Sequence, residues 1–303
     1  MRRLEIKRQM DAADVAAVAR LLDLAAEADG HSPLGEHQWL DLALGGREGF
    51  AGLVAWSPGH DHPVAYAQVT RGPDSWAVEL VVDPHHRDGT AEIGPELLAA
   101  AIDVVRSEGG GHVHHWVFKP GDDYDAVAAA VGLRRGRDLW QMRRPLPADP
   151  PPPLPLRPFE VGRDEEAWLR VNNRAFAGHP EQGSWTIDVL TERESQPWFD
   201  PEGFLLHEGD GGLDGFCWTK VHHDCDPPLG EIYVIAVDPA AGGRGLGRAL
   251  VLAGLDFLHR RRGITEGMLY VDAANTTAVR LYESLGFHVD HVDRAFVGDV
   301  AAT

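Results

Sequence analysis

One succession of apolar patterns runs through this chain twice, and that repetition restricts the fold more than any other feature. The first half opens with a strand-like stretch at residues 4–8, followed by apolar residues at helical spacing over 15–24. Three strand-like runs come next, GFAGLVAW, HPVAYAQVT and SWAVELVVDP, and then a loop. The helix PELLAAAIDVVRSEGG, the strand HVHHWVF and a short helix ending AAAVGL complete the half. The second half repeats the order with LPLRPFE, DEEAWLRVNNRAF, GFLLHEG, LDGFCWTKV, EIYVIAVDP, a glycine-rich loop, RALVLAGLDFLHRRRG, EGMLYVDA and NTTAVRLYESLGF. Both halves read β-α-β-β-β-α-β-α-β, and VVDP at 81–84 corresponds to AVDP at 236–239. Hairpin-forming strands followed by strand–helix–strand crossovers predict an α/β fold (α+β in its mixed sheet), present as two tandem copies.

A chain of 303 residues is about twice a common domain length. The expected boundary is the proline-rich run from Pro145 to Pro158, where consecutive prolines forbid helix and favour a stiff connector. This predicts a first domain at 1–145, a linker at 146–153 and a second domain at 154–303. No apolar run approaches the roughly 20 residues a membrane helix needs, so no membrane partner is expected. The basic start is interrupted by Gln9, Asp11 and Asp14, so no signal-peptide core follows and the expected location is the cytoplasm. Net charge is −19 and the lysines are Lys7, Lys119 and Lys220, a balance that disfavours nucleic acid and suits a cationic substrate. Cys217 and Cys225 fit neither a disulfide framework nor a zinc knuckle and are expected to be reduced structural thiols.

The second half carries the chemistry. After the strand ending at Val237 comes Asp238-Pro239-Ala240-Ala241-Gly242-Gly243-Arg244-Gly245-Leu246-Gly247-Arg248, leading straight into a long helix. The glycines let the backbone turn tightly and approach a ligand, and the helix start offers unpaired N–H groups at its positive end. Arg244 and Arg248 add charge, so the segment reads as a pyrophosphate site. A glycine-capped turn is the bland alternative; the strand before and the helix after favour the site.

The element order and IAVDPAAGGRGLGRALV resemble the GNAT acetyltransferase superfamily, whose acetyl-CoA loop is written Q/R-x-x-G-x-G/A. Gly245 and Gly247 match, while Gly242 replaces the usual Gln or Arg, a departure that main-chain binding of pyrophosphate tolerates. NTTAVRLYESLGF resembles the superfamily's later cofactor-contacting helix. The resemblance implies acetyl-CoA as donor, with main-chain groups of Ile235, Ala236 and Val237 pairing with the pantetheine arm. It further implies contacts from Gly242, Gly243, Arg244, Gly245, Leu246, Gly247 and Arg248, and from Asn275, Thr276, Thr277, Ala278, Val279 and Arg280.

The tandem arrangement, SPLGEHQWL, AFAGHPEQGSW, GEIYVIAVDP and LYVDAANTTAVRLYESLGF together make the chain similar over nearly its whole length to the mycothiol synthase family. That resemblance implies acetyl transfer to the cysteinyl amine of a cysteine–glucosamine–inositol conjugate, the last step of mycothiol synthesis. The family's acceptor positions carry over as Glu36, Glu181, Lys220, Glu231 and Tyr270. Glu36 belongs to the other half, so the space between the halves is the expected acceptor cleft. The family also places a second acetyl-CoA on the first half, along Leu80, Val81 and Val82.

Acetyl transfer to an amine needs a proton acceptor, a polarised thioester, a proton donor for the leaving thiolate, and both substrates held together. Glu231, at the start of the strand leading into the loop, is the candidate base; an edge carboxylate is the plain alternative. Ala278, Leu281, Tyr282 and Leu285 share one helix face, so Tyr282 points inward and is the candidate acid, with core packing as the alternative. Asn275 also serves as an N-cap. Arg260, Arg261 and Arg262 suit a helix C-terminus without touching cofactor. His112, His114, His115, His222 and His223 lack three convergent ligands, and no metal is expected.

In the first half, aligned on the shared Asp-Pro, Arg87 falls at the Gln/Arg position, but Thr90 and Glu92 replace the glycines. Asp88 and Glu92 repel pyrophosphate there. Trp76 stands in place of Glu231, and Ala128 opposite Tyr282, so this half is expected to be catalytically silent. Composition and spacing alone stop at N-acetyl transfer; a monomer is the expected state, though no residue pattern fixes it. Two readings share the motifs: an acetyltransferase for another primary amine, such as an aminoglycoside or a protein N-terminus, and a non-catalytic acyl-CoA-binding module.

Overall fold

The computed structural model describes residues 3–303 apart from 73, 88–92, 122–123, 179–181, 224 and 244; the side chains of residues 36 and 37 lie outside that description. It divides into two compact units, one formed by residues 1–138 with 292–303 and the other by residues 139–291.

The first unit contains β1 (Arg3–Lys7), α1 (Ala12–Asp29), α2 (Glu36–Ala43), β2 (Phe50–Trp56), β3 (Ala65–Arg71), β4 (Trp76–Val82), α3 (Ile93–Ser107), β5 (Gly111–Phe118) and α4 (Tyr124–Ala130). Its strands lie in the order β1-β2-β3-β4-β5-β12, where β12 is His288–Val300. Neighbours are antiparallel except β4 and β5, which are parallel because α3 carries the chain back across the sheet. Leu53, Ala67 and Val78 share one cluster with Leu97, Leu98 and Ile102 of α3. Val54, Tyr66 and Val81 share another with Val18 and Leu21 of α1. Burial on both faces explains why FAGLVAW reads as a continuous apolar run rather than an alternation.

The second unit repeats the plan with β7 (Arg157–Pro158), α5 (Glu165–Ala175), α6 (Ile187–Glu194), β8 (Phe204–Gly209), β9 (Gly212–His222), β10 (Leu229–Val237), α7 (Leu246–Arg262), β11 (Glu266–Asp272) and α8 (Thr276–Ser284). Its sheet order is β6-β11-β10-β9-β8-β7, where β6 is Arg134–Pro145. Leu250, Val251, Leu255 and Leu258 of α7 pack with Cys217, Ile232 and Leu269 on one face. On the other, Trp168 of α5 meets Phe216 at 5.1 Å and Trp218 at 5.8 Å between ring centroids.

Two features depart from the sequence reading. Each unit carries a second helix, α2 or α6, of eight residues within a polar spacer, too short for its periodicity to stand out. The division also falls between Asp138 and Leu139, ahead of the proline run. The reason is an exchange of strands: β6, which closes the first half of the sequence, pairs with β11, whereas residues 293–300 of β12 pair with β5. The proline run is not a bare connector. Leu146 N donates to Thr265 O at 2.8 Å, and Leu154 and Leu156 pack on the second unit's core.

Candidate active site

β10 is the axis of the site. Antiparallel pairing with β9 runs along its whole length, with an irregularity between Ile232 and Val234 that leaves Tyr233 as an extra residue. Parallel pairing with β11 is confined to Gly230–Gly267 and Glu231–Met268. Beyond Glu231 the two strands part, so Ile235, Ala236 and Val237 are registered against β9 but not against β11. An extended arm of amide groups can add itself along such an edge as another strand does.

The end of β10 leads into the loop. Asp238 Oδ1 accepts from Ala240 N at 2.9 Å, shaping the turn Pro239–Ala241, and its other oxygen is held by Arg174 of α5. Gly243 and Gly245 have φ of 80° and 76°, a left-handed conformation that side chains disfavour, and Gly245 starts α7 with no side-chain cap. The first N–H groups of α7, at Leu246, Gly247 and Arg248, are therefore left for a ligand at the helix's positive end. A Cβ on Gly247 would lie 3.8 Å from Val237 and 3.9 Å from Leu281, an ordinary contact, so the fold itself does not demand glycine there. Arg248 reaches Ser284 Oγ at 3.0 Å. Arg244 lies outside the described residues.

The sheet register gathers the acceptor candidates. Lys220 is opposite Glu231, Glu231 beside Met268, Met268 opposite Arg143, and Tyr270 opposite Gln141. Lys220, Glu231, Tyr270, Gln141 and, two residues beyond Lys220, His222 therefore share one face. Glu231 is buried, 6% exposed. His222 Nε2–H donates to its Oε2 at 2.7 Å, and no described residue holds Oε1. Lys220 Nζ lies 4.5 Å from the ring centre of Trp198 and 5.5 Å from that of Tyr233, a cation held over aromatic faces. Tyr270 is half exposed, and its hydroxyl accepts from Gln141 Nε2 at 2.7 Å. Glu181 is outside the described residues, as is the side chain of Glu36, whose backbone opens α2.

Tyr282 is buried in the core of the second unit beside Leu250, Val279, Leu285 and Phe287. Burial pushes its hydroxyl up to about 12, so it keeps its proton across the neutral range. Asn275 caps α8 by accepting from Ala278 N at 3.1 Å, leaving Thr276, Thr277 and Arg280 exposed around Ala278 and the buried Val279.

In the sequence His222 is one of several scattered histidines; only the β9–β10 register aims it at Glu231. His115 Nδ1–H donates to Val78 O (2.8 Å) and its Nε2 lies 2.7 Å from Tyr124 Oη, and His112 meets Asp299 at 2.8 Å.

The first unit repeats the parting of strands, with parallel pairs only at Trp76–Val113 and Ala77–His114. Ala77, not Trp76, thus stands where Glu231 does, because β4 lacks the extra residue at Tyr233. Trp76 is a core residue donating to Gly110 O at 3.0 Å. Among the cofactor candidates Leu80, Val81 and Val82, the carbonyl of Val82 accepts from Arg87 Nε at 2.9 Å, and Arg87 is tied to Asp29. Asp88, Thr90 and Glu92 lie outside the described residues.

The acetyltransferase (GNAT) family profile matches residues 166–287, which hold β10, the loop and α8. A mycothiol acetyltransferase of Thermobispora bispora is 50% identical over 282 residues, 90% of this chain and 92% of that protein. One of Acidimicrobium ferrooxidans is 44% identical, with 91% of each chain covered. The chain belongs to the mycothiol acetyltransferase family. A GCN5-related N-acetyltransferase structure from Sphaerobacter thermophilus superposes with a TM-score of 0.72 at 27% identity, covering 98% of this chain and 96% of that one. A tandem GNAT protein from the clavulanic acid pathway gives 0.71 at 19% identity, covering 99% and 100%, a likeness of fold. As a member of the mycothiol acetyltransferase family, the protein is a GNAT acyltransferase, a class that uses acetyl-CoA. Among the described residues no helix is long and apolar enough to cross a membrane.

Proposed function

We propose that the protein transfers acetyl from acetyl-CoA to the cysteinyl amine of a cysteine–glucosamine–inositol conjugate in the cytoplasm, completing mycothiol. The observation that carries the chemistry is the position of Glu231 at the last paired residue before β10 and β11 part. A thioester whose pantetheine arm lies along Ile235–Val237 and whose pyrophosphate meets the start of α7 brings its carbonyl to that fork. Glu231 takes a proton from the acceptor ammonium, with His222 fixing one of its oxygens and leaving the other for the proton. The freed amine attacks the thioester carbon, and the C–N bond forms as the C–S bond breaks. Tyr282 gives its proton to the departing thiolate and the attacking nitrogen releases its second proton, which restores the Tyr282 phenol by way of solvent, yielding an amide and free CoA.

Lys220 and Tyr270 are proposed to meet the sugar and inositol hydroxyls from the face they share with Glu231. Glu181 and Glu36 are proposed acceptor contacts on the strength of the family resemblance. Mass spectrometry of the product tests the reading. One acetyl group is gained while the acceptor thiol still reacts with a thiol reagent; an S-acetyl product, or no product, defeats it.

A further inference from the structure

Asp83 ends β4 in the first unit as Asp238 ends β10 in the second, but its surroundings differ. Asp238 needs one main-chain donor and one guanidinium. Asp83, 1% exposed, faces imidazoles instead. His62 Nε2 lies 2.9 Å and His86 Nδ1 3.6 Å from its Oδ2. Its Oδ1 accepts from His85 N at 2.8 Å and lies 3.0 Å from His85 Nδ1. His60 joins from the β2–β3 loop, its ring 4.8 Å from that of His86. One ring nitrogen each of His60 and His62 and an oxygen of Asp83 lie within 4.8 Å of one another. His86 Nδ1 is buried with no hydrogen-bond partner among the described residues.

Turn capping explains the Oδ1 contacts but not the imidazoles of His62 and His86 at Oδ2, with His60 beside them, since the second unit makes the same turn with Ala240 and Ala241. We propose that His60, His62 and Asp83 bind one zinc ion, with His86 packed beside them. A tetrahedral site with bonds of about 2.0–2.1 Å has donor–donor edges of about 3.4 Å; the donor atoms of His60, His62 and Asp83 all lie within 4.8 Å of one another, with His62 Nε2 2.9 Å from Asp83 Oδ2. Two imidazole nitrogens and one carboxylate suit a borderline transition ion and not calcium or magnesium, which take oxygen donors. An outer shell is also in place: His62 Nδ1 lies 3.0 Å from Asp61 Oδ1, and Oδ1 of Asp83 is fixed by the His85 N–H. The ion ties the β2–β3 loop to the turn after β4, with water completing its coordination.

The test uses the untagged full chain, stripped with a chelator and titrated with zinc chloride against a chromophoric competitor. One zinc per chain is expected, with a binding constant weakened at least about tenfold in the double variant His60→Ala/His62→Ala, the minimum set by the usual loss from outer-shell changes. Zinc is expected to raise the thermal midpoint of the parent chain and not of that variant. Equal zinc uptake by parent and variant, or none by either, overturns the proposal. Should the double variant not fold, cobalt(II) bound to the parent chain decides: intense tetrahedral visible bands support the site, and a weak octahedral spectrum overturns it.

Discussion

Glu231 and His222 divide one task. The buried carboxylate has one oxygen held by imidazole and one free of described partners, an arrangement that fixes the direction in which a proton arrives. Glu231→Gln removes the acceptor and keeps the shape, so kcat is expected to fall about 10²–10⁴-fold with the acetyl-CoA KM little changed. His222→Asn leaves the carboxylate but frees it to swing. A smaller drop in kcat, about tenfold for each 1.4 kcal/mol of positioning lost, separates it from the base itself in steady-state kinetics. Tyr282 is a different case. With its hydroxyl pushed up to about 12, the acid form is present at every pH below that value. The alkaline limb of kcat should therefore stay flat to about pH 10, and Tyr282→Phe should lower kcat across the whole range. A parent-like rate in that variant makes Tyr282 a packing residue, as its place beside Leu285 and Phe287 allows.

The element that makes the site is a strand that stops pairing. Six strands in each unit would form an unbroken sheet, yet β10 leaves β11 after two pairs, and the backbone of Ile235–Val237 gains an open edge where the glycine loop begins. Gly247 tests what that edge is for. The protein leaves ordinary space for a Cβ there, and alanine suits a helix better than glycine by about 0.5–1 kcal/mol. Gly247→Ala should hold or raise the melting temperature while raising the acetyl-CoA KM. An unchanged KM would show that no ligand backs onto this residue.

Across the whole molecule, duplication made the strand and helix order readable, because Asp-Pro at 83–84 and 238–239 aligned two apolar patterns. The helices of eight residues, α2 and α6, stayed hidden in polar spacers, and the exchange of β6 and β12 was invisible because pairing partners leave no mark on a strand's own residues. At the site, the loop and Asn275 were legible as local signals. His222 at Glu231 and the histidines around Asp83 were not, since each grouping joins segments brought together by register or by the end of a sheet. The acceptor is the central claim, and competition between amines tests it most directly. With acetyl-CoA saturating, kcat/KM should be highest for the cysteinyl–glucosaminyl–inositol conjugate and far lower for an aminoglycoside and for a peptide with a free N-terminus. A higher kcat/KM for the peptide or the aminoglycoside would contradict the account.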